Sequence, residues 1–271
     1  YNILKDYDVD YFSDEDLSAL VKISLHEKDV KKAGRAASVL MRNPQRCAEA
    51  NFEIGKFFIE REEPLSARDY FIGIVQKYPD SPKAPHARME LAEIDYRTGK
   101  IESALEALSN VELASLDDRK TALHIACLLR LNKADEADEI AEKNMQLLKT
   151  SSYGELAFRE NMKYYYAAGS EEKFKKYAGL LRKYPGNGPL VEYYTAKFEF
   201  NTGAYHNAFY SFYKLSASEN EFRREALYHV GVLSFYKQAD TAQAMKYFEK
   251  LAKDERVDDV FVQKAMLFLA I

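Results

Sequence analysis

Five histidines, two cysteines and 43 acidic side chains are the groups in this 271-residue chain that could hold a metal or move a proton. Their spacing argues against both. His26-Glu27 begins a zinc-hydrolase pattern, but no second histidine follows four residues after the first, so no helix face carries two imidazoles to one ion. His26, His86, His124, His206 and His229 fall in separate segments and read as helix-surface or core residues. Cys47 and Cys127 stand 80 residues apart with no Cys-x-x-Cys or Cys/His spacing, and read as small, buried, free thiols. Gly55-Lys56 and Gly99-Lys100 lack the rest of a phosphate-binding loop. Asp6, Asp8 and Asp10 alternate as in a calcium loop, but Tyr11 replaces the turn glycine and Leu17 the closing glutamate. They read instead as an acidic N-terminal strap, residues 1–12. The expectation is a non-enzymatic chain with no catalytic residue, metal or cofactor.

Composition narrows the class further. Apolar residues make up 47% and charged residues 30%, as in a globular protein with a sizeable core. No run approaches the roughly 18 apolar residues of a spanning helix, so no transmembrane segment is expected. The net charge of −4 gives no electrostatic basis for nucleic-acid binding. Lys173, Lys175, Lys176, Arg182 and Lys183 form a local basic run that reads as a solvated helix face. With 11 glycines and 7 prolines the chain is poor in turn formers, which favours long helices.

The elements that would position any site recur at a fixed period. Segment 51–79 carries Ile54-Gly55, Phe58, Ala67, Phe71, Ile74 and Pro79. Leu91-Ala92, Gly99, Ala104, Leu108 and Val111 repeat it, with Ala67 and Ala104 separated by 37 residues and Ala104 and Ala137 by 33. Further copies bring Phe174, Tyr177, Leu181 and Pro185, then Ala196, Gly203, Ala208, Phe212 and Leu215, then Val230-Gly231, Ala244, Phe248 and Leu251. An earlier one holds Leu20, Ile23, Ala36, Val39 and Pro44. Small Gly55, Ala67, Ala104, Ala208 and Gly231 are expected where two helices approach closely. Phe71, Leu108, Phe212 and Phe248 each follow an alanine by four residues, on the same helical face. Pro79 and Pro185 should stop helices, Gly99 and Gly203 should turn the chain at positive φ, and Ser13 with Asp16 should form a capping box.

This pattern resembles the tetratricopeptide repeat, a helix–turn–helix unit of about 34 residues. The resemblance covers residues 13–253 as about seven repeats, near 13–44, 48–80, 85–111, 118–148, 155–185, 189–216 and 222–253. The repeat at 118–148 has aliphatic landmarks and is expected to lack one residue in its inter-helix turn. The family's tryptophan is absent throughout. The resemblance implies an all-α solenoid, a right-handed α-α superhelix with a concave inner surface. The stretch 77–87, KYPDSPKAPHA, looks like repeats of bacterial envelope proteins, which favours periplasm or cell envelope over cytoplasm.

In the tetratricopeptide family the first helix of each pair lines the groove. The register then nominates Phe158, Arg159, Met162, Tyr165 and Tyr166; Tyr193, Tyr194, Lys197 and Phe200; and Tyr228, His229, Val232, Phe235 and Tyr236. The register also places Ile59 and Glu93 on first helices, and a second patch comprises Phe52, Lys56, Met89, Tyr96 and Arg97. Residues 153–248 hold 23 of the 36 tyrosines and phenylalanines, where an even spread would place about 13. Tyrosine combines apolar area with a hydroxyl, as binding surfaces favour. The carboxylate clamp of chaperone-binding members is largely absent, since Phe52, Lys56 and Glu90 occupy positions that match it. The expected function is therefore a scaffold or adaptor that binds a peptide or protein surface between residues 155 and 236. The alternatives are a targeting region of a larger envelope enzyme and a self-assembling structural component. The final stretch, 256–271, reads as the first helix of a further repeat or a cap. It is apolar on nearly every side, so the chain is expected to continue or to bury this end against another chain.

Overall fold

The computed structural model describes residues 12–237, 239–253 and 258–270. The acidic strap, apart from Phe12, therefore lies outside the described residues, as do residues 254–257 and 271 around the last expected helix. Sixteen α-helices and two short 3₁₀ turns are the described elements, with no strand among them, and they form two compact units, residues 1–157 and 158–271. The chain is an all-α array of helical hairpins.

In the first unit the hairpins are α1 (Asp14–His26) with α2 (Val30–Val39), α3 (Pro44–Glu60) with α4 (Pro64–Lys77), α5 (Ala84–Arg97) with α6 (Ile101–Ser109), and α7 (Asp117–Arg130) with α8 (Ala134–Lys143), followed by the short α9 (Met145–Thr150). α10 (Gly154–Ala167) opens at the end of this unit, and from Phe158 onward it belongs to the second. There it is followed by α11 (Glu171–Leu181), α12 (Gly188–Asn201), α13 (Tyr205–Ser216), α14 (Arg223–Lys237), α15 (Thr241–Ala252) and α16 (Val260–Leu269).

Local chemistry sets the helix ends. Ser13 and Asp16 form the expected capping box, with Asp16 N donating to Ser13 Oγ at 3.1 Å and Ser13 N to Asp16 Oδ2 at 3.2 Å. Pro44, a landmark closing the first repeat in the sequence reading, instead opens α3. It occupies the first turn, where its missing N–H leaves no bond unmade, and Asn43 caps it by accepting from Arg46 N.

The hairpin turns share one backbone device. Lys28, Glu62, Gly99, Asn132, Gly169, Gly203 and Ala239 each stand two residues past a helix end with φ between +54° and +81°. The amide of the left-handed residue and that of its successor reach back to two carbonyls of the last turn, as in Gly203 N to Phe200 O at 3.2 Å and Ala204 N to Glu199 O at 2.8 Å. Lys28, Glu62 and Asn132 repeat the pair of bonds. The turn of 118–148 is therefore not a residue short. It spans 131–133 like its neighbour at 98–100, with Asn132 taking the position glycine holds elsewhere.

At Gly55 and Gly231 a ring of the second helix lies directly over the first helix's backbone. A Cβ on Gly55 would stand 2.6 Å from Cε1 of Phe71, and one on Gly231 would stand 2.6 Å from Cε1 of Phe248. Ala67, Ala104, Ala208 and Ala244, on the second helices, are fully buried against the first. The core of each unit is a chain of such clusters, for example Phe71, Ile74 and Leu91 in the first and Ala208, Phe212 and Val230 in the second. Cys47 and Cys127 are both buried and free. Among the described residues no helix is long and apolar enough to cross a membrane.

Candidate functional site

The nominated residues of the second unit divide by burial. Phe158, Met162 and Tyr165 on α10 are buried. Phe158 packs 6.3 Å from Tyr177 and 6.0 Å from Tyr184, and Tyr165 stacks on Tyr177 at 5.8 Å with rings 5° from parallel. These three side chains build the core and offer no surface to a partner. Arg159 donates to Asn187 Oδ1 at 3.0 Å and so ties α10 to the start of α12. Tyr166, one residue beyond the buried Tyr165, remains part-exposed.

From Tyr166 a run of rings crosses successive first helices. Tyr166 meets Tyr194 edge-on at 5.0 Å, Tyr194 meets Tyr193 at 5.4 Å, and Tyr193 stacks on Phe222 at 4.3 Å. Each of the four is part-buried. Asn201 Nδ2 donates to Tyr166 Oη at 3.1 Å. Offset and edge-on rings of this kind hold one another in place while leaving faces available.

A charged cluster anchors the run. Glu225, in the first turn of α14, accepts from Tyr193 Oη at 2.9 Å and from Lys197 Nζ at 3.0 Å, with His229 Nε2 at 3.5 Å. Burial disfavours the Glu225 carboxylate, but hydrogen bonds from His229, Lys197 and Tyr193 outweigh it and bring its pKa down to about 2. Burial and the bond to Glu225 push Tyr193 up to about 12. Burial opposes the charge on Lys197, yet its pairing with Glu225 holds its pKa above the ordinary lysine value. The ammonium also stands 5.4 Å from the centre of the Tyr193 ring. Tyr193 and Lys197 are thus positioned by a glutamate on the next first helix.

Phe200 and His229 lie deeper, with His229 stacked on Phe212 at 4.6 Å and Phe200 edge-on to it at 5.1 Å. Tyr228 packs against Phe261 at 5.6 Å, joining α14 to α16. Phe235 and Tyr236, at the end of α14, are exposed and touch each other at 4.9 Å. They stand beside Phe268 of α16.

The second patch, in the first unit, is built from charge. Lys56 Nζ is 3.4 Å from Glu90 Oε1, and Arg119 reaches the same oxygen at 3.0 Å while its Nε meets Glu93 at 2.5 Å. Phe52 lies under Lys83 and against Phe71 and His86. Met89 is fully buried core. Tyr96 lies beneath the Arg130 guanidinium at 5.6 Å, and the exposed Arg97 is 3.9 Å from Glu93.

Reading of the single chain missed Glu225, Phe222 and Arg119. A signal for them exists in the repeat period. First-helix partners sit about one repeat apart: Lys56–Glu90 at 34 residues, Tyr193–Glu225 at 32 and Arg224–Asp259 at 35. Scanning for complementary polar pairs at that offset would have nominated Glu225. Among the described residues no group of three or more His, Cys, Asp or Glu side chains is arranged to hold a metal.

Comparison with known proteins bears on the fold. Residues 225–255 match the tetratricopeptide repeat family model. A crystal structure of a tetratricopeptide repeat protein from Parabacteroides merdae aligns with a TM-score of 0.61 at 14% identity, over 93% of this chain and 98% of its own. The crystal structure of PilW, a widely conserved type IV pilus biogenesis factor, aligns with a TM-score of 0.62 at 15% identity, over 81% of this chain and 98% of its own. No curated protein is matched by the sequence.

Proposed function

We propose that this chain, a tetratricopeptide-repeat protein, is a non-enzymatic scaffold that holds a peptide or protein segment along the first helices of its second unit. The observation that carries the reading is the run Tyr166–Tyr194–Tyr193–Phe222, four part-buried rings in contact across successive repeats. Such a surface offers apolar area and hydroxyls at low entropic cost, because the rings are already ordered. Lys197 is neutralised by Glu225, so the surface favours a partner with apolar and aromatic side chains over a strongly charged one. The exposed Phe235 and Tyr236 extend the proposed contact toward the end of α14.

We place the scaffold in the assembly of a cell-envelope complex. The linker at 77–87 supports this, and PilW, which has a similar fold, is a pilus biogenesis factor. The test is affinity capture from the source cell with three baits: the wild-type chain, Tyr194→Ala, and Phe235→Ala/Tyr236→Ala. A partner held by the wild type and lost by either variant supports the reading. Identical captures would overturn it and assign these rings to packing.

A second reading is self-association. It rests on Val260, Met266 and Leu267, exposed on α16. Sedimentation across a concentration series tests it, and a monomer at every concentration would remove it.

A further inference from the structure

Three glycines inside helices have no packing reason to be glycine. Gly34 in α2, Gly73 in α4 and Gly179 in α11 lack the positive φ of the turn glycines, and a Cβ at any of them would meet nothing within 4 Å. Glycine at such a position costs about 1 kcal/mol relative to alanine. Each instead lines an open cleft between second helices. Gly34 and Gly73 border one of about 340 Å³, and Gly179 borders one of about 350 Å³ between α11 and α13. The second cleft has α12 as its floor. Its floor residues Thr195, Phe198 and Glu199 lie on a different face of α12 from Tyr193, Tyr194 and Lys197.

The charges of this cleft are unevenly matched. Lys175 pairs with Glu171 at 2.5 Å. Arg182 and Lys214 both reach Glu192, at 3.4 and 3.6 Å. Glu199 is different: it accepts from Ser211 Oγ at 3.0 Å, and among the described residues no ammonium or guanidinium stands within ion-pair distance of it. Partial burial raises its pKa and nearby Glu192 adds to the rise, against the pull of the Ser211 bond and of Lys175. Beside it, Phe174 and Phe198 stack at 4.9 Å and 9° and form an apolar wall. The hydroxyls of Thr195 and Thr202 donate to the carbonyls of Val191 and Phe198, which leaves their oxygens as acceptors.

We propose that this cleft binds a single primary ammonium or guanidinium group, which pairs with Glu199 while its alkyl stem lies along the Phe174–Phe198 wall. The geometry favours a cation, because the Glu199 carboxylate stands beside an apolar wall while Lys175 and Arg182 at the rim pair with Glu171 and Glu192. The volume suits one long basic side chain or a small free amine. Gly179 keeps its stretch of the rim free of any side chain. The cleft opens on a different face of α12 from Tyr193, Tyr194 and Lys197, although Tyr166 packs behind its wall, 6.2 Å from Phe174 and 6.4 Å from Phe198.

The test is titration of the full chain, followed by calorimetry and by NMR of the protein. The probes are N-acetyl-arginine methylamide, N-acetyl-lysine methylamide and cadaverine, with N-acetyl-norleucine methylamide as the uncharged control. Saturable binding of a cationic probe is expected, weakened about tenfold or more by Glu199→Gln. Gly179→Leu, which places a branched side chain in the cleft and keeps the carboxylate, is expected to weaken it at least as much. Circular dichroism and the melting midpoint verify that each variant is folded, and either variant alone suffices. Tighter binding of cadaverine would identify a free amine as the natural source, and tighter binding of a capped residue a partner's side chain. The proposal is overturned if no cation saturates by about 20 mM, if the norleucine control binds equally well, or if the folded variants bind like the wild type.

Discussion

The ring of Phe248 lies so close over Gly231 that a Cβ there would stand 2.6 Å from Cε1, and Phe71 stands in the same relation to Gly55. In an ordinary helix interior, Gly→Ala stabilises by up to about 1 kcal/mol. Here the sign reverses. Gly55→Ala and Gly231→Ala are expected to destabilise by about 1–3 kcal/mol, because a well-packed phenyl ring must move. Gly73→Ala, with nothing within 4 Å, should stabilise instead. Urea denaturation midpoints decide it, and equal shifts at Gly55 and Gly73 would contradict the packing argument.

Left-handed turns supply a second contrast. Glu62 holds φ at +60° and Gly203 at +81° in equivalent turns. An L-residue with a Cβ is strained there by roughly 1 kcal/mol or more. Glu62→Gly should therefore raise the melting midpoint of the chain and Gly203→Ala should lower it. Differential scanning calorimetry reads both.

The Glu225 cluster predicts a direction for acid unfolding. The glutamate has a pKa of about 2 when folded against an ordinary value of 4.5. A depressed carboxylate contributes its stability in full above the unfolded pKa and loses it as pH falls from about 4.5 toward 2. With solvent screening of a part-exposed group, that contribution is about 1–2 kcal/mol. Glu225→Gln should be less stable than wild type at neutral pH and converge toward it near about pH 3. Parallel denaturation curves at the two pH values test this, and a constant difference would show that the charge is not the cause.

Cys127 is fully enclosed, and burial pushes its thiol up to about 12. The thiolate is the reactive form. Cys127 should resist iodoacetamide in the native chain and label only on unfolding, which peptide mass spectrometry reads directly. Native labelling near neutral pH would mean the α7 core opens locally.

Much of the fold was legible in one sequence because close approach leaves a residue-type record. Gly55, Ala67 and Phe71 are a glycine, an alanine and a ring for one steric reason, and the period of that trio locates the helices. The turns left a fainter record. Lys28, Glu62, Asn132 and Ala239 hold a backbone shape that glycine usually marks, so no glycine signals those turns and 118–148 looked a residue short. The site was harder. Periodicity identifies the first helices but does not separate Tyr165, which stacks into its own hairpin, from Tyr166 beside it, which faces the next. Glu225 was invisible because its value depends on Tyr193 and Lys197, about a repeat away.

The pairing of Lys56 with Glu90 sets what an approaching anion would meet. The Lys56 ammonium is already engaged by an internal carboxylate that Arg119 also holds. A free acidic tail would have to displace Glu90, which would leave a buried charge less well compensated. Glu90 is thus an internal competitor for any anion that approaches Lys56.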